Sequence, residues 1–269
     1  MKTWFSDTAG LRAAVAASIA LSIGALAAEA APPPPVKNIV LVHGAFADAS
    51  SWARVITILQ ANGYNVTAVQ NPLTSLADDV AATDRALAQQ DGPVILVGHS
   101  WAGVVITEAG MDPKVAGLVY VAAFGPDRDE AVGDLGKAYP PPPALAAPIV
   151  DKQGFMRLPT DAVVKHFASD LPASEARVLA ATQGPIAVSA FGAHVSRVAW
   201  KTKPSWFIVS KLDSAIAPDE ERFFAKRMKA TTTELSTSHV PMLSQPKAVA
   251  AVIMDAATKA LDARDAAAR

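Results

Sequence analysis

From Lys37 onward the chain alternates short apolar runs with longer amphipathic ones. The run Ile39–Val42 in KNIVLVHG has no polar face, so it predicts a strand covered on both sides, as in a parallel sheet. SSWARVITILQANGY then reads as an amphipathic helix, with Ser50 or Ser51 as N-cap and Gly63 as the stop. NVTAVQ reads as a second strand, and SLADDVAATDRALAQQDG as a second helix ended by Gly92. PVILVG, WAGVVITEAG and VAGLVYVAAF continue the rhythm as strand, helix and strand. Strand–helix alternation predicts an α/β fold: a mostly parallel, doubly wound sheet with helices on both faces.

The rhythm breaks between about residues 126 and 203. YPPPPALAAP is a proline-rich loop, while TDAVVKHFA and ASEARVLAATQ are short helical runs. No strong strand shows there, so this segment is expected to be an inserted, mostly helical cap. SWFIVS, PDEERFFAKRM, TTELS and QPKAVAAVIMDAATKAL resume the alternation as strand, helix, strand and helix.

The N-terminus reads as an export signal over residues 1–30. Lys2 and Arg12 supply positive charge, Ala13–Ala28 is an apolar run, and Ala28-Glu29-Ala30 is a small-x-small cleavage pattern. The run is shorter than the roughly 18 apolar residues of a spanning helix. APPPPV (Ala31–Val36) is a stiff linker into the domain over 31–269. The expectation is a periplasmic or secreted protein without stable membrane insertion after cleavage. The chain has no cysteine, which excludes disulfides, thiolate catalysis and cysteine metal sites. A net charge of −1 with no basic block gives no footprint for nucleic acid.

LVGHSWAGVV places Ser100 between a strand and a helix, among small residues. In a nucleophile elbow the serine occupies a strained, very tight turn that exposes its hydroxyl at the strand's C-terminal end. Gly98 lies two before Ser100; Ala102 lies two after, where G-x-S-x-G has glycine, and Gly103 follows at once. A serine hydroxyl needs a base. Of His43, His99, His166, His194 and His239, His239 follows the strand TTELS, on the sheet edge that Ser100 occupies. His99 is expected to point away from the hydroxyl, and His166 and His194 to be cap surface or packing residues. The imidazole needs a carboxylate to fix its tautomer. Asp213 in KLDSAIAP follows the strand SWFIVS, with Asp127 and Asp129 in GPDRDE as rivals. The order Ser100, Asp213, His239 fits this architecture. Oxyanion donors are expected from the N–H of Trp101 and from HGAF, at Ala45 or otherwise Phe46.

VLVHGAFADASSW, VGHSWAG, KLDSAIAP and SHVPMLSQP, in this order, resemble the landmarks of the α/β-hydrolase fold over about Val36 to Leu261. HGAF…W and the short cap resemble the methylesterase and hydroxynitrile-lyase group and its bacterial hydrolase relatives. The resemblance implies a Ser100–Asp213–His239 triad, oxyanion donors at Ala45 and Trp101, and no metal or organic cofactor. The lyases of that group typically carry lysine after the catalytic histidine, where this chain has Val240. The expected activity is a serine esterase acting on a small to medium, largely uncharged ester or lactone. Phe46, Trp101 and Phe124 are the candidate substrate contacts, with Phe155, Phe167, Phe191 and Trp200 in the cap. A perhydrolase, lyase or oxygenase on the same scaffold, or a hydrolase-like sensor of a small molecule, are the alternatives, because fold alone does not fix chemistry.

Overall fold

The structure is a computed structural model that describes residues 35–267. The leader read over residues 1–30 lies outside the described residues. The first half runs β1 (Asn38–Val42), α1 (Ala53–Ala61), β2 (Asn65–Val69), α2 (Leu76–Ala88), β3 (Val94–His99), α3 (Ala102–Ala109) and β4 (Val115–Val121). The segment between β4 and the next long strand holds α4 (Val132–Leu135), β5 (Ile149–Val150), β6 (Phe155–Arg157), α5 (Thr160–Ala162), α6 (Ala173–Thr182) and β7 (Ile186–Ala187). β8 (Ser205–Ser210), α7 (Pro218–Arg227), β9 (Thr231–Leu235), α8 (Pro241–Ser244) and α9 (Pro246–Ala267) complete the chain.

Six strands form one sheet in the order β2-β1-β3-β4-β8-β9, every pair parallel. β1, β3, β4 and β8 are buried at every residue, which is why they read as unbroken apolar runs. The edge strands β2 and β9 are mostly part-exposed and carry threonines instead. The chain leaves β1 toward β2 and then crosses back to β3, so the strand order reverses between β1 and β3. Open α/β sheets bind ligands outside the carboxyl ends of the strands at such a reversal.

Three local expectations are corrected. The first helix is not capped by Ser50 or Ser51: Asp48 accepts from the Ser50 N–H at 2.7 Å and starts a 3₁₀ turn, Ala49–Trp52, so the α-helix begins at Ala53. Asp48 wins because its carboxylate reaches the orphan amide two residues on. The second helix does not run to Gly92; it stops at Ala88, where the Gln90 side chain donates to the Ala86 carbonyl at 2.8 Å. The segment expected to be strand-free holds a small antiparallel sheet, β5-β6-β7. Strands of two or three residues are too short to show a period of two. TDAVVKHFA is helical as expected, a single α turn passing into a π-helical turn, Val163–Phe167.

Candidate active site

Ser100 follows β3 with φ = 54°, a conformation that costs a non-glycine residue energy and persists only where its surroundings enforce it. Two other non-glycine residues with positive φ follow neighbouring strands: Phe46 (60°) after β1 and Ala122 (43°) after β4. The turn is enforced by close backbone packing. A Cβ on Gly98 would lie 2.6 Å from the Ala102 carbonyl oxygen, and one on Gly103 would lie 2.0 Å from that of Phe124. The space that G-x-S-x-G reserves two residues after the serine is therefore needed one residue later here, which is why Ala102 is tolerated.

Three distant side chains meet at this edge. His239 Nε2 is 2.8 Å from Ser100 Oγ, and His239 Nδ1 is 2.5 Å from Asp213 Oδ2. Ionised Asp213 only accepts, so Nδ1 carries the ring proton and Nε2 is left to accept from the serine hydroxyl. Asp213 Oδ1 accepts from the Ala215 and Ile216 amides at 2.6 and 3.0 Å, which fixes the carboxylate. Asp127 and Asp129 lie elsewhere: Asp127 pairs with Lys201, and the Asp129 carbonyl accepts from His194 Nδ1 at 2.7 Å.

The remaining histidines have structural contacts. His99 Nε2–H donates to the His239 carbonyl at 2.8 Å, and burial holds His99 neutral, well below the usual imidazole range. His43 accepts from the Asn71 amide at Nε2 (2.9 Å), so its proton is on Nδ1, donated to the Gly44 carbonyl at 2.8 Å. That pair anchors the 43–47 loop beside Ser100. Gly44 is required there, because a Cβ would lie 2.7 Å from the Ser100 Cβ. Among the described residues, the backbone amides of Ala45, Phe46 and Trp101 have no hydrogen-bond acceptor. They are available to a developing oxyanion.

Several supporting residues escaped the sequence reading. Trp101 Nε1 donates to Asp79 Oδ2 at 2.7 Å, and Asp79 Oδ1 accepts from the Leu73 amide at 2.8 Å. Burial raises the Asp79 carboxyl above its usual range. Its signal was present: Asp79 shares the buried face of α2 with Leu76, Val80, Thr83 and Leu87. Asp79→Ala leaves two buried donors unpaired and is expected to lower stability by about 1–3 kcal/mol in a urea melt. Asp170 holds the loop before His239, accepting from the Ser238 amide at 3.0 Å and from its hydroxyl. No sequence pattern marks that contact.

A cavity of about 430 Å³ opens onto Ser100 and His239. Phe46, Trp101 and Phe124 line it, as do Phe167 and Phe191 from the segment between β4 and β8. Phe167 packs edge-on against the His239 ring at 4.7 Å between centroids. Phe155 and Trp200 do not line it; Phe155 belongs to β6, and Trp200 donates to the Pro126 carbonyl at 2.8 Å.

Behind the Asp213 carboxylate lie two more carboxyls, Glu220 and Glu221 on α7. Burial, then the Asp213 charge, push Glu220 up to about 7 and Glu221 well above its usual range. Raised acids cost stability as they ionise: nothing below the unfolded pKa, then a growing penalty up to the folded one. For Glu220 that window runs from about 4.5 to about 7. Glu220→Leu is therefore expected to gain in Tm over the native chain as pH rises from 5 to 8, with little gain at pH 4.5.

The fold and this edge define a class. The profile of the alpha/beta hydrolase family matches residues 39–252, and the chain belongs to that family. Among curated proteins, it is 25% identical to Methylesterase 2 of Arabidopsis thaliana over 245 residues, covering 78% of this chain and 92% of that one. A shorter stretch of 107 residues is 37% identical to Methylesterase 7 of the same plant, covering 34% of this chain and 41% of that protein. Among solved structures, polyneuridine aldehyde esterase is similar at a TM-score of 0.70 and 20% identity, with 82% of this chain and 98% of that chain covered. A pyrethroid hydrolase from Sphingobium faniae JZ-2 is similar at 0.71 and 22%, with 82% and 97% covered.

Proposed function

We propose that the chain is a serine ester hydrolase of small to medium, largely uncharged carboxylic esters or lactones. The observation that carries this reading is the unbroken line from Asp213 through His239 to Ser100, at 2.5 and 2.8 Å, beside three unpaired amides. Ser100 Oγ attacks the ester carbonyl while His239 Nε2 takes its proton. The carbonyl oxygen becomes an oxyanion received by the N–H groups of Trp101 and Ala45. His239 returns the proton to the departing alkoxide, leaving an acyl group on Ser100. Water then attacks the acyl-enzyme with His239 again as base, and the acid and free serine result.

Relatives support the reaction class: the two curated proteins compared above are named methylesterases, and the two structures are named for hydrolysis of esters or pyrethroids. The cavity supports the substrate class, because its walls are mostly aromatic and aliphatic side chains. Export to the periplasm or medium, from the leader at 1–30, belongs to the same proposal.

The test is a series of p-nitrophenyl esters of rising acyl length, with a fluorophosphonate probe in parallel. Wild type is expected to turn over the shorter esters and to be labelled once, at Ser100. Ser100→Ala is expected to lose both. Equal rates in the two proteins would sink the reading.

A further inference from the structure

Among the described residues, Glu220 is the one acidic side chain in the wall of the cavity that holds Ser100 and His239. It is 4% exposed, and its fully buried Oε1 has no hydrogen-bond partner among the described residues. Buried polar groups in folded proteins are nearly always partnered, and an orphan calls for an explanation. A buried carboxyl without a partner is costly for folding alone. Its place in the first turn of α7 favours a negative charge, but among the described residues no neighbouring side chain pairs with its Oε1. The Asp213 carboxylate acts on it, and that neighbour is itself an acid. Tyr139, from the segment between β4 and β8, feels its charge without bonding it. Lys137, which also lines the cavity, is spent on Asp134.

We propose that Glu220 is a substrate-binding residue, whose carboxyl receives a hydroxyl group carried by the substrate at a position away from the scissile carbonyl. This assignment rests on the ester-hydrolase reading for the identity of the substrate. A hydroxyl suits the site better than other polar groups. The walls around it are apolar (Phe124, Leu145 and Ile216 among them), so a fully charged group would be stripped of water. A hydroxyl both donates and accepts, so it pairs with the carboxylate and with the protonated acid. Near neutral pH the buried carboxyl takes both forms, and a hydroxyl is held through the change.

The experiment compares matched ester pairs: methyl hexanoate with its 3-hydroxy and 6-hydroxy analogues, and hexyl acetate with 6-hydroxyhexyl acetate. A 6-amino ester forms the charged arm. kcat/KM is measured for wild type, Glu220→Gln and Glu220→Leu. Dissociation constants are measured in the Ser100→Ala background, where no ester is consumed. At least one hydroxylated ester is expected to bind about tenfold or more tightly than its parent, a typical size for a hydrogen bond to a charged group. Glu220→Leu is expected to erase that ratio, while Glu220→Gln, which still bonds a hydroxyl, keeps part of it. No hydroxyl preference, a preference that survives Glu220→Leu, or a Glu220-dependent preference confined to the amino ester would each overturn the assignment. The two readings fail separately. If wild type hydrolyses no ester, the hydrolase reading falls, and the binding ratios in the Ser100→Ala background still decide the role of Glu220. If plain esters are hydrolysed without any hydroxyl preference, only the Glu220 assignment falls.

Discussion

Replacing His239 with alanine is expected to cut kcat for p-nitrophenyl ester hydrolysis by about 10⁴-fold or more, with the fold retained. Without the imidazole, nothing within reach takes the Ser100 proton. His99, whose ring lies 4.8 Å from that of His239 between centroids, points its Nε2 at the His239 carbonyl and is kept neutral by burial. Residual rate above water would come from the unpaired amides and from binding, as in serine hydrolases stripped of a triad member. Asp213→Asn gives the complementary test. Its side-chain oxygen can still take the Ala215 and Ile216 amides, so the loop stands, but an amide NH₂ facing Nδ1 favours the wrong tautomer. A similar fall in kcat is expected with little change in KM. Steady-state kinetics with circular dichroism melts checks both variants. A His239→Ala protein that keeps a tenth of its activity would show that another group moves the proton.

Gly103→Ala is expected to damage stability and activity together, although alanine is the better helix former. Inside an ordinary exposed helix the exchange would gain about 1 kcal/mol. In α3 the new methyl group would stand 2.0 Å from the Phe124 carbonyl oxygen and 3.0 Å from the Ala123 Cβ. A backbone oxygen cannot swing aside as a side chain does, so α3 or the strand end after β4 must shift. Overpacking of this kind costs typically 1–3 kcal/mol and sometimes more. The same strand end donates the Phe124 amide to the Ser100 carbonyl at 3.2 Å, so any shift moves the elbow itself. The net expectation is a loss of about 3 kcal/mol, roughly 10 °C in Tm for a domain of this size. A displacement of about 1 Å at the serine costs on the order of 10²-fold in kcat. Gly136→Ala is the control, because no atom lies within 4 Å of the added Cβ. Equal melting temperatures for the two variants would show that the elbow has slack.

Much of the candidate site is legible in the chain because its members sit at strand ends. In a parallel sheet every strand's carboxyl end faces the same way, so residues just after apolar runs are brought to one edge. Ser100 after β3, Asp213 after β8, His239 after β9 and the 43–47 loop after β1 all follow from that rule. Glu220 and Glu221 do not. After Pro218 they read as the acidic first turn of a helix, a pattern that normally faces water. Only the packing of α7 against β8 turns both into the interior.

The order of apolar runs and turn residues, by itself, determined the parallel sheet, the strained serine turn and the edge where the polar groups gather. These are local properties, set by burial on both strand faces and by the steric needs of a few backbone atoms. Tertiary structure alone decided which aspartate reaches His239, which aromatic rings line the cavity, and which carboxyl is left there without a partner. Each of those depends on distances between segments scores of residues apart, and such distances exist only once the chain has closed on itself.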